Sequence, residues 1–226
     1  MPELKSRTLL REVRAEQAQH GAFPARERFY REAEDLVERE NLAAPAFSFA
    51  IAPLEAPAAE MLQVGGESLY APRLKPEAGE LTALACGVVT LGPALERRVA
   101  SLFAEKCYSL ALALDDIGNQ LLLAATRRAQ DGMLAAARKQ KLTMAGELRP
   151  GDPGLPLQAH SLVLRLADAA SIGVEVTRGH ALKPLKSISM VLGAGIDLPP
   201  ARWSRCDDCP SRMKCRVANC PAQPAA

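Results

Sequence analysis

Residues 81–91, LTALACGVVTL, are the stretch from which the fold of this chain can be worked out. The run is apolar, rich in β-formers and free of charge, as is typical of a strand buried inside a sheet. Gly92-Pro93 follow directly, and a proline in the first turn is a common helix start. The stretch therefore predicts a buried strand that leads straight into a helix.

The longest helix predicted from the sequence covers residues 106–139. Its apolar residues recur at steps of four, three, four and three, which places them on one helical face. These residues are Leu110, Leu114, Ile117, Leu121 and Ala124. Such a stripe predicts a long helix that packs on the sheet.

Shorter elements surround this strand and helix. On the N-terminal side, apolar alternation predicts strands and Gly-Gly at 65–66 predicts a hairpin. On the C-terminal side, the sequence predicts further strands and a helix. The predicted helices are 4–19 (polar), 25–41 and 157–170; the predicted strands are 46–54, 61–64, 67–70, 141–148, 174–177 and 187–193. Because strands and helices mix without strict alternation, the fold class is α+β.

Composition limits the possible functions. The 226 residues are 48% hydrophobic and carry a net charge of +2, too small to indicate a nucleic-acid or membrane partner. Aromatic residues make up 4%, too few for a base-stacking platform. The charged N-terminus lacks the apolar region of a signal peptide, and no apolar run reaches the roughly 18–20 residues of a membrane span. We therefore expect a cytoplasmic location.

The last part of the chain gathers four of the six cysteines, Cys206, Cys209, Cys215 and Cys220, in the pattern C-x2-C-x5-C-x4-C. Four thiolates are suitable ligands for zinc or an iron–sulfur cluster. The short middle gap and the proline after the last cysteine favour a 4Fe-4S cluster, and flanking arginines and lysines would offset its negative charge. Zinc and a metal-free tail remain as alternatives.

The composition of the chain also divides it into three parts. We expect an N-terminal helical extension at 1–24, a main domain at 25–198 and a cysteine-rich tail at 199–226. Cys86 lies in the apolar strand and is expected to be a small buried residue, while Cys107 lies at a helix start. Neither is expected to be a ligand.

The loop RPGDPGLP, at 149–156, has two glycines and three prolines in eight residues. Such a loop is stiff and allows a ligand to approach its backbone closely. Asp152 could accept a hydrogen bond from a ligand's hydroxyl or amine. The simpler interpretation is a plain connection between a strand and a helix, and composition alone favours it.

Several polar residues give weaker signals. Asp115 and Asp116 are helix neighbours whose side chains diverge by about 100°, so a solvated or capping pair is favoured over a catalytic pair. His160 and His180 are isolated, and no catalytic residue can be identified. Lys183 and Lys186 precede a strand and either face an anionic group or act as solubilising charge. There is no Walker A loop and no G-x-G-x-x-G fingerprint, which disfavours nucleotide hydrolysis and hydride transfer.

The order of several stretches resembles one known family, the activation (reactivation) domain of cobalamin-dependent methionine synthase in its stand-alone form. The stretches that carry the resemblance are LACGVVTLGPALE (84–96), YSLALALDDIGNQ (108–120), PGDPGLPL (150–157), IGVEVT (172–177) and LKPLKSISMVLG (182–193). It covers about residues 30–220. Stand-alone members often end in a short cysteine-rich segment, as this chain does.

The resemblance implies a C-shaped single domain with a twisted, mainly antiparallel sheet flanked by helices. It implies a component that reactivates a corrinoid-binding methyltransferase or methionine synthase subunit. In that family, the partner holds a cobalamin that oxidation has inactivated, and S-adenosylmethionine and one electron restore it. The cofactor contacts that it implies here are Arg149, Pro150, Gly151 and Asp152. This loop departs from the family's P-G-Y-x-G-W-P pattern, since Asp152 replaces the tyrosine and Leu155 the tryptophan. The family's long helix also has a glutamate, and its position falls near Leu123 in this chain.

A low-potential cluster on the cysteine tail could carry the electron that this reaction needs. A ferredoxin or flavodoxin would then be a suitable donor, steered by the basic flank of the tail. Two alternatives remain open: a docking module for corrinoid proteins with a structural zinc tail, and a small iron–sulfur electron carrier.

Overall fold

The computed structural model describes residues 4–20, 24–201, 203 and 213. The helices are α1 (Ser6–His20), α2 (Pro24–Arg39), α3 (Ala94–Ala104), α4 (Tyr108–Lys139) and α5 (His160–Leu166). The strands are β1 (Ala46–Pro53), β2 (Met61–Val64), β3 (Glu67–Tyr70), β4 (Glu80–Thr90), β5 (Thr143–Leu148), β6 (Glu175–Val176), β7 (Leu182–Lys183) and β8 (Ser187–Ile196). None of the helices in the described part is long and apolar enough to cross a membrane.

The main sheet has the strand order β1-β4-β8-β5, and every pairing in it is antiparallel. Strand β4, which contains the predicted apolar run, is an inner strand. It pairs with β1 from Ala46↔Thr90 to Pro53↔Ala83 and with β8 on its other side. The predicted α+β class, with a mainly antiparallel sheet flanked by helices, is confirmed. The C shape stays a prediction.

Each face of the sheet carries its own hydrophobic core. Helices α1–α4 cover one face, where Ala85 and Val89 of β4 lie. The β2–β3 hairpin and α5 cover the other, where Leu84, Cys86 and Val88 lie. Because neighbouring residues of a strand point to opposite faces, two-sided burial requires a continuous apolar run. This is why the LTALACGVVTL pattern has no polar alternation.

The predicted stripe of α4 is confirmed in the core. Leu114, Ile117, Leu121 and Ala124 are completely buried, and Leu110 is partly buried against them. Helix α1, predicted from its polar residues, also buries apolar residues in this core: Leu9, Leu10 and Val13. The division of the chain into three parts stays a prediction.

The prediction of one helix over 157–170 is wrong in its extent. The segment forms a 3-10 turn at Leu157–Ala159, the α-helix α5 and another 3-10 turn at Ala169–Ile172. Asp168 has φ of +52°, a left-handed conformation that cannot continue an α-helix. Apolar periodicity extends across this break, so the pattern alone does not reveal it.

Candidate functional site

The candidate site lies at an edge of the main sheet. Strand β5 is the last strand in the order, and among the described strands it pairs with β8 alone. Its register shifts between Ala145 and Leu148, which marks a bulge. Bulges at sheet edges re-aim the side chains next to them. The loop 149–156 begins where this irregular strand ends, so its first residue is presented at the edge.

Hydrogen bonds hold the loop 149–156 in one shape. The Oδ2 atom of Asp152 accepts from the Arg149 backbone N–H at 2.7 Å, and the Asp152 N–H donates back to the Arg149 carbonyl at 2.8 Å. The Gly151 N–H donates to the Leu155 carbonyl at 2.9 Å. Gly151 has φ of +98°, which a side chain would strain. One oxygen of the Asp152 carboxylate thus stabilises the turn itself.

The Arg149 side chain is anchored through one nitrogen. Its Nε donates to Glu147 Oε1 at 2.9 Å, and Glu147 Oε2 accepts from Gln130 Nε2 at 2.7 Å. Within the described residues, the two terminal nitrogens of Arg149 make no hydrogen bond. A guanidinium whose two terminal nitrogens are available to a ligand can bind a carboxylate or phosphate through two parallel hydrogen bonds. Arg149 is therefore suited to recognise an oxyanion.

A surface groove of about 580 Å³ lies beside the Glu147 carboxylate. It is lined by α4, β5, β8 and the residues that follow β8. The lining residues are Gln130, Asp131, Leu134, Met144, Ala145, Gly146, Glu147, Leu192, Ala201 and Trp203. An apolar and aromatic lining with a few polar groups is typical of a small-molecule site.

The indole of Trp203 lies directly on the backbone of the edge strand. A Cβ added to Gly146 would come within 3.0 Å of the ring, so the missing side chain allows this contact. The Arg73 guanidinium lies over the same ring, 5.1 Å from its centroid, in cation–π geometry. Trp203 is the one tryptophan of the chain and precedes Cys206 by three residues. The described part of the segment after β8 is thus packed against the candidate site.

Lys186 takes part in an internal contact. Its side chain is 10% exposed, and its Nζ lies 2.7 Å from Asp115 Oδ1, 2.6 Å from Asn119 Oδ1 and 3.2 Å from the Asp115 carbonyl. Lys183 is exposed and lies 3.3 Å from a Glu175 carboxylate oxygen. The suggestion that Lys186 is solubilising charge is wrong, because its ammonium is buried against α4.

The two aspartates of α4 diverge as predicted, and both are half-buried, so they are partly solvated but also bind other side chains. Asp115 pairs with Lys186, whereas Asp116 Oδ2 accepts from the Tyr30 hydroxyl of α2 at 2.5 Å and from Gln120 at 2.9 Å. Each carboxylate thus connects α4 to a different element. This joining role explains the pair without a catalytic function.

The histidines and the two early cysteines have structural environments. His160 is buried, and its Nδ1 lies 2.8 Å from the carbonyl oxygen of His180; burial lowers the pKa of His160. Complete burial raises the pKa of the Cys86 thiol to about 12, so the predicted buried residue is confirmed. Cys107 is exposed, directly before α4.

The predicted metal ligands Cys206, Cys209, Cys215 and Cys220 lie outside the described residues. Over 4–20, 24–201, 203 and 213, no group of three or more potential ligands could hold a metal ion. Sequence reasoning missed Glu147, Gln130 and Trp203. Glu147 stands two residues before Arg149, which is a weak signal at best, and Gln130 lies on another element with no signal at all.

Comparisons with known proteins show a likeness to a solved structure. No protein-family profile matches the sequence, and neither does any curated protein. A crystal structure of the MetH reactivation domain bound to AdoHcy matches with a TM-score of 0.59 and 14% identity. The match covers 76% of this chain and 66% of that one, so this chain spans just under two thirds of its length. The likeness shows a shared fold, and the expected activation-domain-like fold is confirmed.

Proposed function

We propose that this chain is a reactivation component for a cobalamin-dependent methyltransferase of the methionine synthase type. It would bind S-adenosylmethionine at the edge of β5 and present its methyl group to a corrinoid held by a partner protein. The shared fold supports this proposal, because the similar domain is bound to AdoHcy. S-adenosylhomocysteine is what S-adenosylmethionine becomes when its methyl group has been transferred.

The geometry of Arg149 is the observation that carries the proposal. S-adenosylmethionine has a carboxylate at one end and an adenine ring at the other. The terminal nitrogens of Arg149 suit the carboxylate, since a guanidinium fork matches two carboxylate oxygens. The groove beside Glu147, with Trp203, Met144 and Leu134 in its lining, offers apolar surface to the rest of such a molecule.

The reaction needs one electron as well as the methyl group. The partner's corrinoid would supply the cobalt that accepts the methyl group and the electron, and the neutral thioether would be released from this chain. A ferredoxin or flavodoxin would donate the electron to the cysteine tail, whose basic flank would attract an acidic donor. A cluster on Cys206, Cys209, Cys215 and Cys220 would, when bound, supply it at low potential. The sequence spacing alone supports that cluster, and zinc at the same cysteines would make the tail structural.

The direct test is calorimetric binding of S-adenosylhomocysteine to the full chain. Arg149→Gln removes the guanidinium, and we expect roughly 10- to 100-fold weaker binding, since a hydrogen bond to a charged group contributes about 1.5–3 kcal/mol. Arg98→Gln is the matched control. Its side chain is 26% exposed against 21% for Arg149, and its Nε is likewise paired with a glutamate. If wild type does not bind, or if Arg149→Gln binds as tightly as wild type, the proposal is wrong.

The redox part needs a separate test under exclusion of oxygen. Purified protein with iron and sulfide in matching amounts and a broad visible band would support an electron-transfer tail. A colourless protein with one zinc would favour the docking-module alternative. Capture of a purified corrinoid protein would distinguish the reactivation component and the docking module from a small electron carrier, which needs no corrinoid partner.

A further inference from the structure

A chain of three side chains connects helix α4 to the candidate oxyanion site. Gln130 of α4 donates from Nε2 to Glu147 Oε2 at 2.7 Å. The other oxygen of that carboxylate, Oε1, accepts from Arg149 Nε at 2.9 Å. Both side chains of the ion pair are largely shielded, with 21% of Arg149 and 25% of Glu147 exposed. The three groups are therefore held more firmly than a fully exposed surface pair would be.

The way in which Glu147 binds Arg149 decides which N–H donors of Arg149 remain for a ligand. A guanidinium is planar and carries five donors in a fixed fork. A carboxylate that bound both terminal nitrogens would occupy the same fork that a ligand needs. Here Glu147 contacts Nε, so the plane of the guanidinium is fixed while its terminal fork stays available among the described residues. Gln130 in turn fixes the Glu147 carboxylate from α4.

We propose that Glu147 is a positioning residue, supported by Gln130, that orients Arg149 for recognition of a ligand carboxylate. This inference rests on the proposed function, because the carboxylate in question is that of S-adenosylmethionine or its thioether product. Glu147 also offsets part of the positive charge of Arg149. A singly charged carboxylate therefore suits the site better than a doubly charged phosphate, which would meet the negative charge of Glu147.

The test compares two ligands on the full-length protein by calorimetry. S-adenosylhomocysteine has the carboxylate, whereas 5′-methylthioadenosine shares its adenosine and thioether but lacks the amino-acid end. We expect Glu147→Ala to weaken binding of the first roughly 5- to 10-fold, because an oriented charged hydrogen bond is lost, and to leave binding of the second within about twofold. Glu147→Gln keeps an oxygen for Arg149 Nε and should recover most of the loss. Gln130→Ala should give a smaller loss with the same ligand preference.

Equal loss of both ligands in Glu147→Ala, or no recovery in Glu147→Gln, would overturn the inference, because a merely structural role predicts those results. A second measurement does not depend on any ligand. In nitrogen-labelled protein, the Arg149 Nε–H should exchange slowly with water in wild type and Glu147→Gln and fast in Glu147→Ala. If wild type binds neither nucleoside, the proposed function fails. Unchanged exchange in Glu147→Ala would instead refute the positioning role, whatever the ligand.

Discussion

Replacing Lys186 by methionine tests a buried charge of the described structure, since only 10% of its side chain is exposed. The methionine keeps the apolar stem and removes the ammonium, which contacts Asp115 Oδ1 at 2.7 Å and Asn119 Oδ1 at 2.6 Å. Each hydrogen bond to a charged group contributes about 1.5–3 kcal/mol. Part of this is recovered, because the Asp115 side chain is 44% exposed and can be solvated by water, and because methionine needs no desolvation of a charge. We expect the free energy of unfolding to fall by about 2 kcal/mol.

Lys183→Met is the matched control on the same segment. Its ion pair with Glu175 is 3.3 Å long and about two-thirds exposed on both sides, so its loss should change stability by less than about 0.5 kcal/mol. Urea unfolding followed by circular dichroism measures both variants. The reasoning is refuted if Lys186→Met is as stable as Lys183→Met. That result would mean that the attraction within the pair only offsets the cost of burying the ammonium.

Three further outcomes follow from local environments. Iodoacetamide at pH 8 should label Cys107 and leave Cys86 intact, because burial raises the Cys86 pKa to about 12; modification of Cys86 in folded protein would contradict its burial. Gly146→Val should displace Trp203 and shift its fluorescence to the red, since the ring lies 3.0 Å from the added Cβ position; an unchanged spectrum would speak against this contact. Burial lowers the His160 pKa below its usual 6.5, so the unfolded chain takes up the proton first and the free energy of unfolding falls as pH drops below 6.5. In urea unfolding between pH 5 and 7, His160→Asn should make this fall less steep. An unchanged slope would mean that other groups cause the pH dependence.

The elements of the fold could largely be predicted because their signals are local. The apolar run of β4, the stripe of α4 and the hairpin around Gly65-Gly66 all appear where the sequence predicts them. Two-sided burial, helical periodicity and turn chemistry each act over a few neighbouring residues. The break at Asp168 escaped prediction, because a single left-handed residue leaves the apolar pattern unchanged.

The candidate site was predicted only in part. The loop 149–156 is recognisable from its glycines and prolines, and Arg149 from the family resemblance. The groups that hold Arg149 are not, since Gln130 and Glu147 stand 17 residues apart on different elements. The periodicity of a sequence does not predict which side chains come into contact when a helix packs beside an edge strand.

The sequence by itself determined that this chain has a two-sided central strand, a long packed helix and an antiparallel hairpin, because each arises from the pattern of adjacent residues. Only the tertiary structure decided that Lys186 pairs with Asp115, 71 positions away, and that Trp203 lies on Gly146. The physical reason is that pairing and close approach depend on where folded elements come together. Hydrophobic burial sets that arrangement for the whole domain, and the polar contacts of the site then form wherever it brings their partners within reach.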